Sequence, residues 1–416
     1  MESLSDTKWD VVISGTGLPQ SLLALALSRS GKTILHVDPN DYYGGPEAAL
    51  SLQEADEWAE RFASGNADGV FAGAQRPRLW SRIPSTREDV FANKTIPARS
   101  KRALMKFLKF VLDFESESHA EIWKPMANDG LAGFLESEFK LDRDLQSYVI
   151  TLTLSLDGRV SVADGLTAIN RHLTSTGVFG TGFAAVYPKW GGLSEIAQVG
   201  CRAAAVGGAV YMLGTGISAV QAMPATQSSD HEELEVTLTN DVVVKSRILV
   251  KDSTPPAADC SNLCRLTAVV ESRSVKRSDG SASDHPVYAS VHSSDTGECP
   301  SGQSIVYLST ISDSSSKELL ESALSSFLET LSPGQDQPKC LYRLSYEQRG
   351  GTGACSVDKT TGTFSPPPPH LAFDDSLLVS VRQAWDLVIG DSAADTEYMQ
   401  FEDREGAVDE DDAFAA

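Results

Sequence analysis

Positive charge is scarce in this sequence, and so are long apolar runs. The 416 residues carry 35 Lys and Arg against 57 Asp and Glu, which gives a formal net charge of −22. Because electrostatic binding of phosphates needs a surplus of Lys and Arg, we expect no nucleic acid partner. No apolar stretch approaches the roughly 18 residues that a spanning helix requires, and Met1 to Asp10 contains no run of signal-peptide length. We therefore expect a soluble, cytosolic protein.

Cysteine is also sparse for a chain of this length. Such wide spacing is not a disulfide framework, and reduced thiols are the default. Cys260 and Cys264 lie close together, but no second His or Cys pair follows at the spacing of a zinc finger. We expect no metal site. The six cysteines are Cys201, Cys260, Cys264, Cys299, Cys340 and Cys355.

Motifs of known catalytic centres are missing. The chain contains no Gly-x-Ser-x-Gly elbow, no Walker loop and no His-Glu-x-x-His. His36 lies in a predicted strand and His172 in a predicted helix, and such histidines are more often packed or exposed than catalytic. We expect no catalytic residues.

The stretch from Asp10 to Gly45, DVVISGTGLPQSLLALALSRSGKTILHVDPNDYYGG, has the pattern of a nucleotide-binding βαβ unit. Gly15 and Gly17 take the first two positions of a dinucleotide fingerprint, and Asp38 stands where an acid would bind a ribose hydroxyl. Gln20 replaces the third glycine, and Pro19 removes one backbone donor from the turn. From these residues alone, flavin or nicotinamide binding and a purely structural turn both stay open, with the structural turn favoured.

Further along the chain, helical and strand-like patterns occur in blocks. The stretch 100–115 is a basic amphipathic helix that could lie on a membrane, although packing against a core is the more frequent use of this pattern. No clear strand is evident in 44–83, and 187–212 is rich in glycine and small residues. Helices are predicted at 100–115, 131–139, 143–156, 162–175, 316–331 and 377–389, and strands at 233–238, 242–250, 266–270, 287–291, 304–310 and 340–346.

These blocks predict an α/β protein with an all-helical insertion. The large α/β domain would comprise residues 1–99 and 186–400, and the helical domain residues 100–185. The remaining residues, 401–416, are strongly acidic and are expected to be disordered. Within 252–303 we expect a pair of strands with flexible loops.

Two blocks of this sequence resemble the family of Rab GDP-dissociation inhibitors and Rab escort proteins. One is the opening stretch, above all its ending DPNDYYGG, and the other is VYPKWGGLSEIAQVGCRAAAVGGAVYML, Val186 to Leu213. The resemblance implies a doubly wound FAD/NAD(P)-binding-like large domain, an inserted helical domain and no redox chemistry. It therefore implies that FAD is not bound and that Gly15, Gly17 and Asp38 are vestiges of a nucleotide site.

The same resemblance implies protein partners. A Rab GTPase in its GDP form would be held by a platform at Tyr43, Glu195, Arg202 and Met212. Core packing of Met212, and pairing of Glu195 and Arg202 with near neighbours, are the alternatives for these residues. The helical domain would hold the geranylgeranyl group and dock the Rab geranylgeranyltransferase α/β heterodimer, with Phe134 as a candidate contact.

Within the family, 82–115 and HLTSTGVFGTGFAAVYPKWGG resemble the escort branch, of fungal type. An escort protein presents unprenylated Rab to the transferase and then delivers the prenylated product to membranes, so it is cytoplasmic and transiently at membranes. The inhibitor branch and a flavin-dependent oxidoreductase are the alternatives. Between Gly45 and Ile83 this chain is shorter than expected for the family, which predicts missing strand and helix elements beneath the platform.

Overall fold

A computed structural model describes residues 4–63, 71–72, 97–178, 191–223, 233–253, 262–271, 285–331, 340–371, 373 and 375–400. Its opening βαβ unit has the predicted form. Strand β1 (Lys8–Ser14) leads through Gly15–Gly17 into helix α1 (Leu18–Arg29), and β2 (Ile34–Val37) returns parallel to β1. Pro19 lies in the first turn of α1, where a missing N–H costs no hydrogen bond. Gly31 takes a left-handed φ of 66° after the helix, a conformation that favours glycine.

A mixed sheet grows on both sides of β1. In order, it contains β12 (Cys355–Val357), β13 (Thr361–Phe364), β7 (Val243–Asp252), β1, β2 and β4 (Val210–Met212). From β13 to β4 the neighbouring strands are parallel. An antiparallel extension of β5 (Ile217–Met223) and β6 (Glu233–Leu238) joins through β7. The carboxyl ends of β1 and β2 thus lie together, and this edge carries the functional candidates.

The two faces of this mixed sheet are both covered. On one face pack α1, α8 (Leu193–Val206) and α10 (Ser376–Ile389), around a core that includes the fully buried Trp385. On the other face, Trp9, Val12 and Leu35 pack with apolar residues of β6. Successive residues of a strand alternate between these two cores.

Five helices form the predicted helical unit. They are α3 (Ala98–Leu112), α4 (Glu117–Trp123), α5 (Leu131–Phe139), α6 (Arg143–Thr151) and α7 (Val162–Ser175). The α3 face predicted from its periodicity is buried at Leu104, Phe107, Leu108 and Val111. Its apolar side therefore packs against the other helices of this unit, which confirms the core-facing alternative.

A second, antiparallel sheet lies in the C-terminal half. Its strand order is β9 (Tyr288–Ser293), β10 (Gln303–Ile311), β8 (Asn262–Glu271), β11 (Cys340–Arg349) and β3 (Phe71–Ala72). Helix α9 (Ser316–Leu331) packs on β8 and β10. Helix α2 (Leu52–Ala63) approaches β11 through Trp58, whose ring centroid lies 5.4 Å from that of Tyr346.

The structure corrects four of the sequence predictions. The helix predicted at 143–156 ends at Thr151, because the chain turns and Leu154 takes a left-handed φ of 56°. Strands β8 and β9 do not pair with each other, since β10 lies between them. The range 187–212 contains α8, and 44–83 contains α2 and β3, so helix and strand elements are present in the shortened segment. The acidic range 401–416 and Cys260 lie outside the described residues.

Candidate functional site

The turn between β1 and α1 has the shape of a dinucleotide turn. Gly15 has a φ of 94°, which favours glycine, and its N–H donates to the Val37 carbonyl at 2.8 Å. A Cβ added to Gly17 would lie 2.9 Å from Gln20 Oε1, so a larger residue there would have to displace the Gln20 side chain. Both glycines therefore retain the structural part of their role.

Asp38 stabilises this turn through hydrogen bonds to both of its carboxylate oxygens. Its side chain is 1% exposed, and its Oδ2 accepts hydrogen bonds from Thr16 N at 2.6 Å and Thr16 Oγ1 at 2.7 Å. Its Oδ1 accepts from Asn40 N at 2.8 Å and Asn40 Nδ2 at 3.0 Å. Both carboxylate oxygens of Asp38 thus accept hydrogen bonds from residues of this chain. The acid at the position of a ribose ligand therefore stabilises the turn.

Gln20 fills the space beside the two glycines. It is 1% exposed and its Nε2 donates to the Asp252 carboxylate at the end of β7. Burial raises the pKa of Asp252 to about 6, while the hydrogen bond from Gln20 lowers it and nearby Asp38 raises it. Burial likewise raises the pKa of Glu47 to about 7, against hydrogen bonds from the backbone N–H groups of Glu47 and Leu18. The lining beside the turn is thus made of carboxyl and amide groups, which do not suit a pyrophosphate.

His36 is a packed histidine of this edge. It is completely buried, its Nε2 lies 2.6 Å from the Gly15 carbonyl oxygen, and burial lowers its pKa to about 4. The ring is therefore neutral near pH 7 and donates to that carbonyl. His172 lies in α7, where burial lowers its pKa. In the described part of the chain no group of His, Cys, Asp and Glu side chains is arranged to hold a metal ion.

Tyr43 and Glu195 come together at a shared cavity. The segment after β2 packs against the start of α8, where a Cβ added to Gly44 would lie 2.8 Å from Ser194 Cβ. The cavity measures about 270 Å³ and is lined by Tyr42, Tyr43, Ala49, Gly191, Ser194, Glu195 and Gln198. Burial raises the pKa of Tyr43, so its hydroxyl stays a donor at neutral pH.

Helix α8 presents one face to solvent beside this cavity. Arg202 follows Glu195 by seven residues, or two helical turns, so both project on the same side of the helix. Arg202 is exposed, and no other described residue engages its guanidinium. Around it lie exposed apolar side chains, with Val199 59% and Val206 81% exposed. The face therefore combines a free cation with apolar surface, as protein interfaces do.

The opposite face of α8 explains how it is held. An added Cβ on Gly200 would lie 3.4 Å from the Ser21 carbonyl oxygen, and Cys201 Sγ lies 3.2 Å from Ser21 Oγ. Small residues let α8 approach α1 closely, so α8 is fixed to the βαβ unit. The pairing of Glu195 and Arg202 with near neighbours is not seen among the described ion pairs.

Met212 lies on the other face of the mixed sheet. It is partly buried and packs against the core around Trp9 and Val12. The preceding residue, Tyr211, is the one beside Tyr43, with ring centroids 6.2 Å apart and an edge-on arrangement. Sequence reasoning missed Tyr211, although the alternation of strand residues places 211 and 212 on opposite faces.

Phe134 lies in the core of the helical unit. It is 2% exposed, and its ring packs 6.0 Å from Phe110 and 5.7 Å from Phe139. The exposed apolar residues of this unit are different ones, namely Leu112, Ile122, Leu154 and Val178. In this conformation Phe134 supports the unit from inside.

The chain is similar to known proteins over most of its length. The family model "GDP dissociation inhibitor" matches residues 5–80. "Rab proteins geranylgeranyltransferase component A" of Saccharomyces cerevisiae is 29% identical over 64% of this chain. The chain spans about half of that relative, 52% of its length. An uncharacterised Rab geranylgeranyltransferase of Schizosaccharomyces pombe is 24% identical, over 97% of this chain and 98% of that protein.

A solved structure gives the same result for the fold. The crystal structure of a Rab GDI from Plasmodium falciparum superposes with a TM-score of 0.63 and 15% sequence identity, over 95% of this chain and 99% of that one. The predicted doubly wound large domain with its helical unit is thereby confirmed. By these matches and the two signature blocks, the chain is similar to the family of Rab GDP-dissociation inhibitors and Rab escort proteins.

Proposed function

We propose that this protein is a Rab escort protein. It binds an unprenylated Rab GTPase in the GDP form, presents it to the geranylgeranyltransferase heterodimer and delivers the prenylated product to a membrane. The observation that carries the proposal is the joint surface of the Tyr43 segment and α8, where Tyr43 and Glu195 share one cavity and the exposed Arg202, which no other described residue engages, follows two helical turns along α8. The names of the fungal relatives favour the escort branch.

The chemistry of this surface suits a protein partner. The Arg202 guanidinium can form charge-assisted, bidentate hydrogen bonds with a carboxylate of the GTPase. Tyr43 offers a ring with a polar tip, a side chain enriched in interfaces. Val199 and Val206 supply apolar area that is covered when the partner binds. Charged groups next to apolar area would orient the bound GTPase as well as contribute to its affinity.

The protein's own part in lipid transfer is that of an accessory subunit. It supplies no nucleophile, acid or base to the reaction, and the transferase carries out the chemistry. We also propose that it binds no flavin. This rests on Asp38, whose oxygens are used within the chain, and on the carboxyl and amide lining formed by Gln20, Glu47 and Asp252.

The helical unit would hold the geranylgeranyl group and dock the transferase. Its core is built from apolar helices, and each methylene of a bound lipid that leaves water gains about 0.8 kcal/mol. The exposed Leu112, Ile122 and Leu154 are better placed than Phe134 to meet a partner. No helix in the described residues is long and apolar enough to cross a membrane. We propose that delivery is transient and driven by the lipid of the cargo.

The runner-up is a Rab GDP-dissociation inhibitor, which the structural similarity to a Rab GDI favours. The two functions separate in a pair of assays with the same purified proteins. An escort protein stimulates transfer of a labelled geranylgeranyl group from its diphosphate to an unprenylated GDP-loaded Rab by the transferase heterodimer. An inhibitor extracts prenylated Rab from vesicles but supports no transfer.

We expect this protein to stimulate transfer in a saturable, concentration-dependent manner. A heat-denatured sample serves as the control, together with a Rab that lacks its C-terminal cysteines. Extraction of prenylated Rab without stimulation of transfer would assign the inhibitor function. If the protein showed neither extraction nor stimulation, both functions would be refuted.

A further inference from the structure

One carboxyl, that of Glu47, is buried beside the β1–α1 turn and has one oxygen without a hydrogen-bond partner among the described residues. Glu47 ends the short 3-10 turn Gly45–Glu47, four residues after Tyr43. Its Oε2 is buried and accepts no hydrogen bond from any described residue, and the same holds for Gln20 Oε1. Both oxygens lie close to Gly17, since a Cβ added there would lie 2.9 Å from Gln20 Oε1 and 3.5 Å from Glu47 Oε2.

Two buried acceptors close to Gly17 thus lack a donor among the described residues. A buried acceptor without a donor is destabilising, and more so when it is charged. A proton on Glu47 supplies the missing donor and also removes a negative charge. The ionised carboxylate has no proton to donate and keeps its negative charge, so the two protonation states differ in how well this segment packs.

The surroundings of Glu47 disfavour its ionised form. Asp252 faces it from the end of β7 and Asp38 lies beyond, from the end of β2; both are acids. The buried His36 next to them is neutral at pH 7. The backbone N–H of Leu18, at the start of α1, is the group that favours the ion. No Lys or Arg forms an ion pair with these acids among the described residues.

The segment that carries Glu47 is clamped between two helix ends. Gly44 N donates to Thr16 O at 3.2 Å and to Thr16 Oγ1 at 3.1 Å, which ties it to the β1–α1 turn. On the other side Gly44 is pressed against Ser194 at the start of α8. Tyr43 and Ala49, on either side of this clamp, both line the cavity with Glu195. A displacement of Glu47 would therefore reach the cavity directly.

We propose that Glu47 is a positioning residue whose protonated carboxyl seats the Tyr43 segment against α8, and that loss of the proton releases the segment and weakens GTPase binding. This inference rests on the proposed function, because the GTPase is the ligand of that surface. Burial places the transition near pH 7, where the pKa of Glu47 lies. Since the seated state holds the proton more tightly, affinity falls as the pH rises through this value.

The test is a titration of a GDP-loaded, unprenylated Rab with wild-type protein and with Glu47→Gln between pH 6 and 8.5. The glutamine keeps the shape and the donor but cannot ionise. We expect the wild-type Kd to rise about fivefold or more over this range, and the Kd of the variant to stay flat. Asp41→Asn, an exposed acid of the same segment, is the control and should keep the wild-type slope. Equal slopes in wild type and Glu47→Gln would overturn the proposal.

A second measurement needs no GTPase and so separates this proposal from the proposed function. Hydrogen exchange of the amides of Gly44 and Glu47, both hydrogen-bonded in the structure, is followed at pH 6 and pH 8 and corrected for the intrinsic rate. We expect protection to fall at pH 8 in the wild type only. Equal protection at both pH values would refute the role of Glu47 even if a Rab binds, and a change in protection without any Rab binding would refute only the proposed function.

Discussion

Replacement of Arg202 by alanine is the most informative single change on the proposed platform. The side chain is exposed on α8, and no other described residue engages its guanidinium. Exposed substitutions of this kind usually change stability by less than about 0.5 kcal/mol. Arg202→Ala should therefore leave the free energy of unfolding nearly unchanged, so any loss of binding reports on the contact itself.

The expected loss follows from the type of bond that Arg202 can make. A hydrogen bond to a charged group contributes about 1.5–3 kcal/mol, which corresponds to a Kd raised roughly 10- to 150-fold. Calorimetric titration with a GDP-loaded Rab measures this change, and urea unfolding of the variant checks its fold. Arg202→Lys keeps the charge but loses the bidentate geometry, so it should recover only part of the affinity.

A matched control is available on the helical unit. Arg171 is likewise exposed on a helix, α7, and lies away from the Tyr43 segment in the sequence and the fold. Arg171→Ala should bind the Rab as tightly as the wild type. An unchanged Kd for Arg202→Ala, or an equal loss for Arg171→Ala, would refute the assignment of Arg202 to the platform.

Two further predictions concern the core and the former nucleotide site. Trp385 is fully buried and its indole N–H donates to Ser30 Oγ at 3.0 Å, so Trp385→Ala should lower the free energy of unfolding by about 3–5 kcal/mol. Urea unfolding followed by circular dichroism measures this, and a loss below about 1 kcal/mol would contradict the packing described for α10. Our proposal that no flavin is bound predicts that the purified protein is colourless. A stoichiometric absorbance of bound flavin in the visible spectrum would refute this.

The βαβ unit and the helical unit could be predicted from the sequence because their structure is encoded locally. Gly15, Gly17 and Pro19 determine how β1 passes into α1, and the apolar period of α3 determines its buried face. Local features of this kind need no knowledge of distant residues.

The missed helix α8 has a physical reason. Its contact with α1 is made by small residues such as Gly200, where an added Cβ would already touch the Ser21 carbonyl oxygen at 3.4 Å. Small residues weaken the apolar period by which an amphipathic helix is recognised. The sequence therefore showed a stretch rich in glycine and small residues in the place where α8 packs against α1.

The N-terminus of helix α2, by contrast, is marked by a capping motif in the sequence. Ser51 and Glu54 form a capping box, in which Ser51 N donates to Glu54 Oε2 at 2.7 Å and Glu54 N donates to Ser51 Oγ at 3.3 Å. This pattern of Ser followed three residues later by Glu is visible in the sequence. It predicts the helix that was missed in 44–83.

The contacts of Gln20 beside the β1–α1 turn could not be predicted from one sequence. Gln20 and Asp252 are 232 positions apart, and only the parallel arrangement of β1 and β7 brings them together. Glu47 joins them through the turn after β2. The consequence of having Gln20 in place of the third glycine, its hydrogen bond to Asp252, is therefore visible only in the folded chain.

Binding of the GTPase tests the central claim most directly. Wild-type protein is titrated calorimetrically with one unprenylated Rab that is loaded either with GDP or with a non-hydrolysable GTP analogue. The proposed function predicts saturable one-to-one binding of the GDP form and a markedly higher Kd for the GTP form. Absence of binding to the GDP form, or equal affinity for both nucleotide states, would contradict the assignment of this protein as an escort of GDP-loaded Rab.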